Sequence, residues 1–311
     1  MYREYPNLAQ ITEYIYKKSP LQKKRIEHYL EHQDVNFKEH ADSFFKIFIE
    51  YLEKQGLTLE YAVDAYLQIC KDTFLEEVKF AKTGKYSLKN AEIAASQVYH
   101  NKEVMQYYMY GLAISQFFWK NHYQIYRFFI DLISQRNDDI KKYLEIGPGH
   151  GLYLLEAVKQ LKQASFKAID LSDTSLHISS NVIKFMYPEK VDISFEMVDV
   201  FEWTYPENFD FLVMGEVLEH VENPVALLKK ISTLLHPGGQ AFITTCANCP
   251  AIDHIYLFSS VEMSRQTIIE GGLKIDKELV LPLEDVTESE WQPPYGKTVN
   301  YAAVVSSPKG T

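Results

Sequence analysis

The sequence predicts an α/β chain in two parts, an all-helical first half and a second half built on a mostly parallel sheet. Three observations predict it. Residues 1–140 carry apolar residues at helical spacing and no period-two strand pattern. From residue 141 short apolar runs alternate with helical patterns, the signature of parallel strands joined by crossovers. The composition also changes there: 15 of the 22 tyrosines precede residue 141, and residues 1–140 hold 18 Lys+Arg against 19 Asp+Glu where the remainder holds 14 against 23. A length of 311 residues suits two domains, and the division is expected as 1–140 and 141–311.

The helical elements follow in order. Ile11, Tyr14 and Ile15 form one apolar face, broken at Pro20 and resumed by Leu21, Ile26, Tyr29 and Leu30. A face from Phe44 to Leu52 ends at Gly56, and Thr58 and Glu60 open a helix that runs through Cys70 to about Lys82, broken at Thr83-Gly84. Two aromatic-rich helices are expected over 87–109 and 111–135.

The strands are expected at 141–146, 166–170, 193–199, 209–215, 240–246, 273–281 and 299–307, with helices at 151–162, 173–186, 224–235 and about 260–270. Pro237-Gly238-Gly239 marks a turn, and Ser259 with Glu262 reads as a capping box opening the last of these helices. The net charge of −10 argues against a broad nucleic-acid face. Three cysteines and an N-terminus without an apolar core segment predict a reducing cytoplasm, and no run of 18 apolar residues predicts a membrane span.

The strongest site signal is Leu144-Glu-Ile-Gly-Pro-Gly-His-Gly151, a strand running through Glu145, Gly147, Gly149 and Gly151 into a helix. Glycines at alternate positions let the backbone approach a ligand at a helix N-terminus. The spacing misses the dinucleotide fingerprint, because position 152 is Leu, and no Walker lysine follows. Acids stand at the ends of the second and third strands, Asp170 and Asp199. Together with the segment Glu216-Val-Leu-Glu-His-Val221 and the turn His236-Pro-Gly-Gly239, the loop resembles the motifs of class I S-adenosylmethionine-dependent methyltransferases over about residues 141–307.

That resemblance implies a Rossmann-like seven-stranded, mostly parallel sheet binding S-adenosylmethionine through Glu145, Gly147, Gly149, Gly151, Asp170, Asp199, Val200 and Glu216. A tyrosine just before the motif often meets the cofactor in this family, which makes Tyr107 and Tyr108 candidates. Pro148 and His150 carry no assigned role. Methyl transfer from a sulfonium needs the acceptor held in line, a contribution of up to about 7–11 kcal/mol, and gains from a base when the acceptor is a hydroxyl. His220 and His254 are the candidate bases, each beyond the carboxyl end of a strand. Glu216-x-x-Glu219-His220 also resembles a magnesium site of some methyltransferases acting on RNA ends or quinone precursors, but the RNA-end version needs a histidine where Pro224 stands. Cys246-x-x-Cys249 has no second pair, so packing thiols are expected and no metal ligand is assigned.

Eleven aromatics fall within residues 99–129, directly before the sheet. The helical half is therefore expected to act as a lid with much of the substrate pocket, or as a homodimer interface. The resulting expectation is methyl transfer, preferably to oxygen, on a small apolar or aromatic acceptor of secondary metabolism, with tethering to a carrier protein left open. Two alternatives stay open: a metal-assisted quinone-precursor or protein methyltransferase, and a non-catalytic protein that binds S-adenosylmethionine.

Overall fold

Capping side chains start most helices of the first half. Ser19, Asp34, Thr58, Asn90 and Asn101 each accept a backbone N–H from the first turn that follows, satisfying donors that have no partner inside a helix. The computed structural model describes residues 4–189, 191–283, 287–291 and 296–307. Its helices are α1 (Pro6–Lys18), α2 (Pro20–Glu31), α3 (Val35–Lys54), α4 (Leu59–Thr83), α5 (Ala91–Ala94) running into a π turn (Ala95–Tyr99), α6 (Lys102–Phe118) and α7 (Lys120–Ser134).

The aromatic-rich helices differ from expectation. The breaks lie at Asn101 and Trp119, and Gly111 sits inside α6. Packing explains it: a Cβ at Gly111 would lie 2.4 Å from Ile69 Cδ1 and 2.9 Å from the Ala65 carbonyl oxygen. The glycine lets α6 cross close to α4, an advantage that outweighs its poor helix propensity.

The second half alternates as the pattern demands: β1 (Lys142–Ile146), α8 (Leu152–Gln160), β2 (Ser165–Asp170), α9 (Asp173–Met186), β3 (Ile193–Met197), β4 (Phe209–Gly215), a 3-10 turn (Leu218–His220), α10 (Pro224–Leu234), β5 (Leu235–Ala247), α11 (Val261–Glu270), β6 (Lys274–Pro282), α12 (Glu288–Trp291) and β7 (Val299–Ser306). The sheet order is β3-β2-β1-β4-β5-β7-β6, with β7 antiparallel to both its neighbours and the first five strands parallel. β5 starts earlier than expected because Leu235 already pairs with Phe209, and the Pro237–Gly239 turn is absorbed as a register shift before Gln240 meets Phe211. Ser260, not Ser259, caps α11: its Oγ accepts the Met263 N–H at 3.1 Å, while the Ser259 hydroxyl faces the Met263 sulfur at 3.7 Å.

The sheet is covered on both faces. Ile125, Phe129 and Ile133 of α7 pack with α8 residues on Tyr143, Phe211 and Phe242. Leu227, Leu228 and Ile231 of α10 and Ile268 of α11 cover Leu144, Leu212 and Ile243. A third cluster fills α1–α6 and reaches Leu152 and Ile178 of the sheet half. Thus α7, which precedes residue 140, is a layer of the sheet, and α6 lies against α9. No helix among the described residues is long and apolar enough to cross a membrane.

Candidate functional site

The carboxyl ends of β1–β5 open onto a cavity of about 560 Å³ whose opposite wall is built by α4–α7. This is where ligands bind in open parallel sheets. The glycine loop leaves β1 with φ of +68° at Gly147, +54° at Gly149 and +77° at Gly151, conformations closed to most side chains. Gly147 and Gly149 line the cavity. Gly151 does not; a Cβ there would meet Ser179 at 3.0 Å, so this glycine brings α8 against α9. His150 turns its Nδ1 back onto the Leu152 N–H at 3.2 Å, and burial lowers its pKa to about 4.

Asp170 ends β2 on the cavity wall. Its carboxylate accepts the Ser172 N–H at 2.8 Å and the Ser175 hydroxyl at 2.5 Å, and burial raises its pKa against the pull of these donors. Asp199 and Val200 follow β3 and line the same wall, with Asp199 Oδ1 held by the Phe201 N–H at 2.9 Å. Glu216 follows β4 at φ +52° and accepts the Thr244 hydroxyl at 2.6 Å.

Besides Gly151, two further expected cofactor contacts are corrected. Glu145 does not face the cavity: it is 1% exposed and accepts the Tyr143 hydroxyl at 2.5 Å. Residue alternation along β1 turns both side chains to the α7–α8 side of the sheet. Desolvation raises the Glu145 pKa to about 8, so it is a protonated brace behind the loop at neutral pH. Tyr107 also points away, its hydroxyl donating to Asp72 of α4 at 3.1 Å. Its neighbour Tyr108 lines the cavity and donates to Asp253 at 3.3 Å.

His220 and His254 meet edge to face across the far end of the cavity, ring centroids 4.8 Å apart. His220 donates from Nδ1 to the Asp253 backbone carbonyl at 3.1 Å, with the Asp253 carboxylate 3.6 Å away, which leaves its Nε2 as the basic nitrogen. His254 donates from Nδ1 to the Cys249 carbonyl at 2.6 Å; burial lowers its pKa to about 4, helped by His220. Glu219 lies behind both, fully buried, accepting from the Thr245 hydroxyl at 2.8 Å, and burial beside Glu216 raises its pKa.

Sequence reasoning left Asp253 as a mere neighbour of His254. It orients His220 and receives Tyr108, and its place directly before a histidine was the available signal. His122, His150 and Trp119 also line the cavity, and only the packing of α6, α7 and the loop discloses that. The described wall carries five carboxylates, Asp170, Asp199, Glu216, Glu222 and Asp253, and neither lysine nor arginine. This donor set fits S-adenosylmethionine: the strand-end acids offer acceptors for ribose hydroxyl and adenine amino groups, the loop amides offer donors, and the acidic wall suits a sulfonium cation.

Residues 118–269 match the methyltransferase-domain family. Among curated relatives, the ubiquinone biosynthesis O-methyltransferase of Xanthomonas campestris pv. campestris is 29% identical over 143 residues, 46% of this chain and 58% of that protein. The protein of the same name from Azotobacter vinelandii is 31% identical over 110 residues, 35% of this chain and 46% of its own length. The chain therefore spans about half the length of these relatives. Among solved structures, an O-methyltransferase family protein from Burkholderia thailandensis superposes with a TM-score of 0.52 at 12% identity, covering 82% of this chain and 73% of the other, a likeness of fold.

Proposed function

We propose, from the premise that residues 118–269 form a class I S-adenosylmethionine-dependent methyltransferase domain, that the chain transfers a methyl group to the hydroxyl of a small, largely apolar or aromatic acceptor. The observation that carries this reading is the two-faced cavity: strand-end carboxylates and loop amides on one wall, and Ile69, Tyr99, Met105, Tyr108, Leu112 and Trp119 of the helical half on the other. The names of the curated relatives, ubiquinone biosynthesis O-methyltransferases, support oxygen as the methylated atom. A polyanionic acceptor is disfavoured by a wall that carries neither lysine nor arginine among the described residues.

Bound S-adenosylmethionine supplies a methyl group already activated on a sulfonium. The protein's part is then to hold, orient and deprotonate. Gly147, Gly149, Asp170, Asp199, Val200 and Glu216 bind and orient the cofactor. His220 takes the acceptor proton at Nε2, with Asp253 fixing its tautomer. His254 is too weakly basic for that task and serves as wall and as the edge against which His220 packs. Apolar roof residues exclude water around the reacting atoms.

The test is incubation of the full chain with S-adenosylmethionine and a panel of phenols, catechols and aliphatic alcohols, read by mass spectrometry. Methylated phenol or catechol is expected. Cofactor binding without turnover on any acceptor class would favour the non-catalytic alternative, and product on amines alone would overturn the oxygen assignment.

A further inference from the structure

At the far end of the cavity, the end of β5 and the loop after it gather three donors that the methyl-transfer reading does not use as ligands. Cys246 is the penultimate residue of β5, and Asn248 at φ +51° then turns the chain, fixed by its N–H on the Phe258 carbonyl at 2.9 Å. The turn returns Cys249 beside Cys246, and the loop continues to His254. The two sulfurs and a ring nitrogen of His254 lie within 4.8 Å of one another, all three cysteines of the chain being free thiols. Glu219 Oε1 stands 3.8 Å from Cys246 Sγ and 4.0 Å from His254 Nε2.

We propose that Cys246, Cys249 and His254 bind one zinc ion at this wall, with Glu219 as the fourth donor. Zinc bonds of about 2.3 Å to sulfur and about 2.0–2.1 Å to nitrogen or oxygen give tetrahedral edges of roughly 3.3–3.8 Å. The two separations to Glu219 stand at the upper limit of that range and just beyond it, so small side-chain movements close the site. The His254 tautomer is already right, since Nδ1–H is spent on the Cys249 carbonyl and Nε2 keeps its lone pair towards Glu219. Burial supplies the second argument. Cys246 and Glu219 are each 0% exposed, and the partners of the Glu219 carboxyl are the Thr245 hydroxyl, the Cys246 thiol and the acidic Glu216, none of them a cation. Buried carboxylates are ordinarily paired with a cation or coordinate a metal. Two thiolates and an imidazole select zinc over magnesium, which prefers oxygen ligands. The magnesium-like spacing Glu216-x-x-Glu219-His220 would leave both sulfurs unused. Binding releases the two thiol protons to solvent and joins the turn after β4 to the loop after β5, the two segments that carry His220 and Asp253.

The test is titration of the metal-depleted full chain with cobalt(II), followed by zinc(II) displacement. One equivalent of cobalt is expected, with a thiolate-to-cobalt charge-transfer band that zinc abolishes. The band should be lost in Cys246→Ser/Cys249→Ser. It should also be weakened in Cys249→Ser alone, whose half-buried position and unchanged circular dichroism guard against misfolding. Absence of binding, or cobalt bound without a charge-transfer band, overturns the proposal. Binding that survives in Cys249→Ser at full strength and disappears in Glu216→Gln overturns it too, by moving the ion to the carboxylates.

Discussion

The sheet wall and the helical roof face one cavity with opposite chemistry, and they place their side chains by different physics. On the sheet wall a residue's position follows from register. Asp170 ends β2 and Asp199 follows β3, so the ladder of backbone hydrogen bonds fixes where each carboxylate emerges. On the roof, position follows from helix packing. Adjacent helical residues differ by about 100° in direction, so Tyr108 enters the cavity while Tyr107 is spent on Asp72. The difference teaches that the sheet wall is a local property of the chain and the helical roof a property of the assembled helices.

The comparison is broken most severely by removing His220, the proposed base, which sits between the two walls. His220→Ala is expected to lower kcat by about 10²–10⁴ with little change in cofactor affinity, measured in single-turnover assays. An unchanged rate would mean that positioning alone carries the reaction. Gly111→Ala disturbs only the roof: the new methyl would strike Ile69 and the Ala65 carbonyl, separating α4 from α6 at about 1–3 kcal/mol. Denaturant melts should show that loss, with KM rising for the acceptor more than for the cofactor.

Glu145 sharpens the sheet side through pH. Its folded pKa, about 8, lies above the unfolded carboxylate value, so the unfolded chain holds fewer protons between about pH 4.5 and 8. Its favourable contribution is complete below that window and is lost as pH rises through it. Glu145→Gln should therefore raise Tm at pH 8 and leave it nearly unchanged at pH 4.5. Four histidines act oppositely. His40, His122, His150 and His254 are lowered to about 4 by burial. The unfolded chain binds more protons between about pH 4 and 6.5, and stability should fall on acidification through that window. The smallest effect contrasts neighbours. Tyr108→Phe, by freeing Asp253, should slow turnover several-fold, and Tyr107→Phe should leave it unchanged; equal effects would erase the distinction between them.

Legibility in the sequence followed the same division. The positions of the strands, the glycine loop and the strand-end places of Asp170 and Asp199 were readable because each is encoded within a few residues. Glu145 was misread because a motif says which residue is present, and strand alternation decides which side of the sheet it faces. The division between the two aromatic-rich helices was misplaced to residue 110 because periodicity is local, whereas Gly111 continues α6 by packing on Ile69, more than forty positions away in the chain. His122 was invisible as a site residue for a similar reason: it reaches the cavity through tertiary packing between distant segments.

The central claim is that the strand-end acids of the second half hold S-adenosylmethionine. Calorimetric titration of the cofactor into wild type and Asp170→Ala tests it most directly. One site is expected, weakened by about 10–100-fold in the variant through loss of hydrogen bonds of about 1.5–3 kcal/mol to a charged partner. Equal affinities for the two proteins would contradict the account.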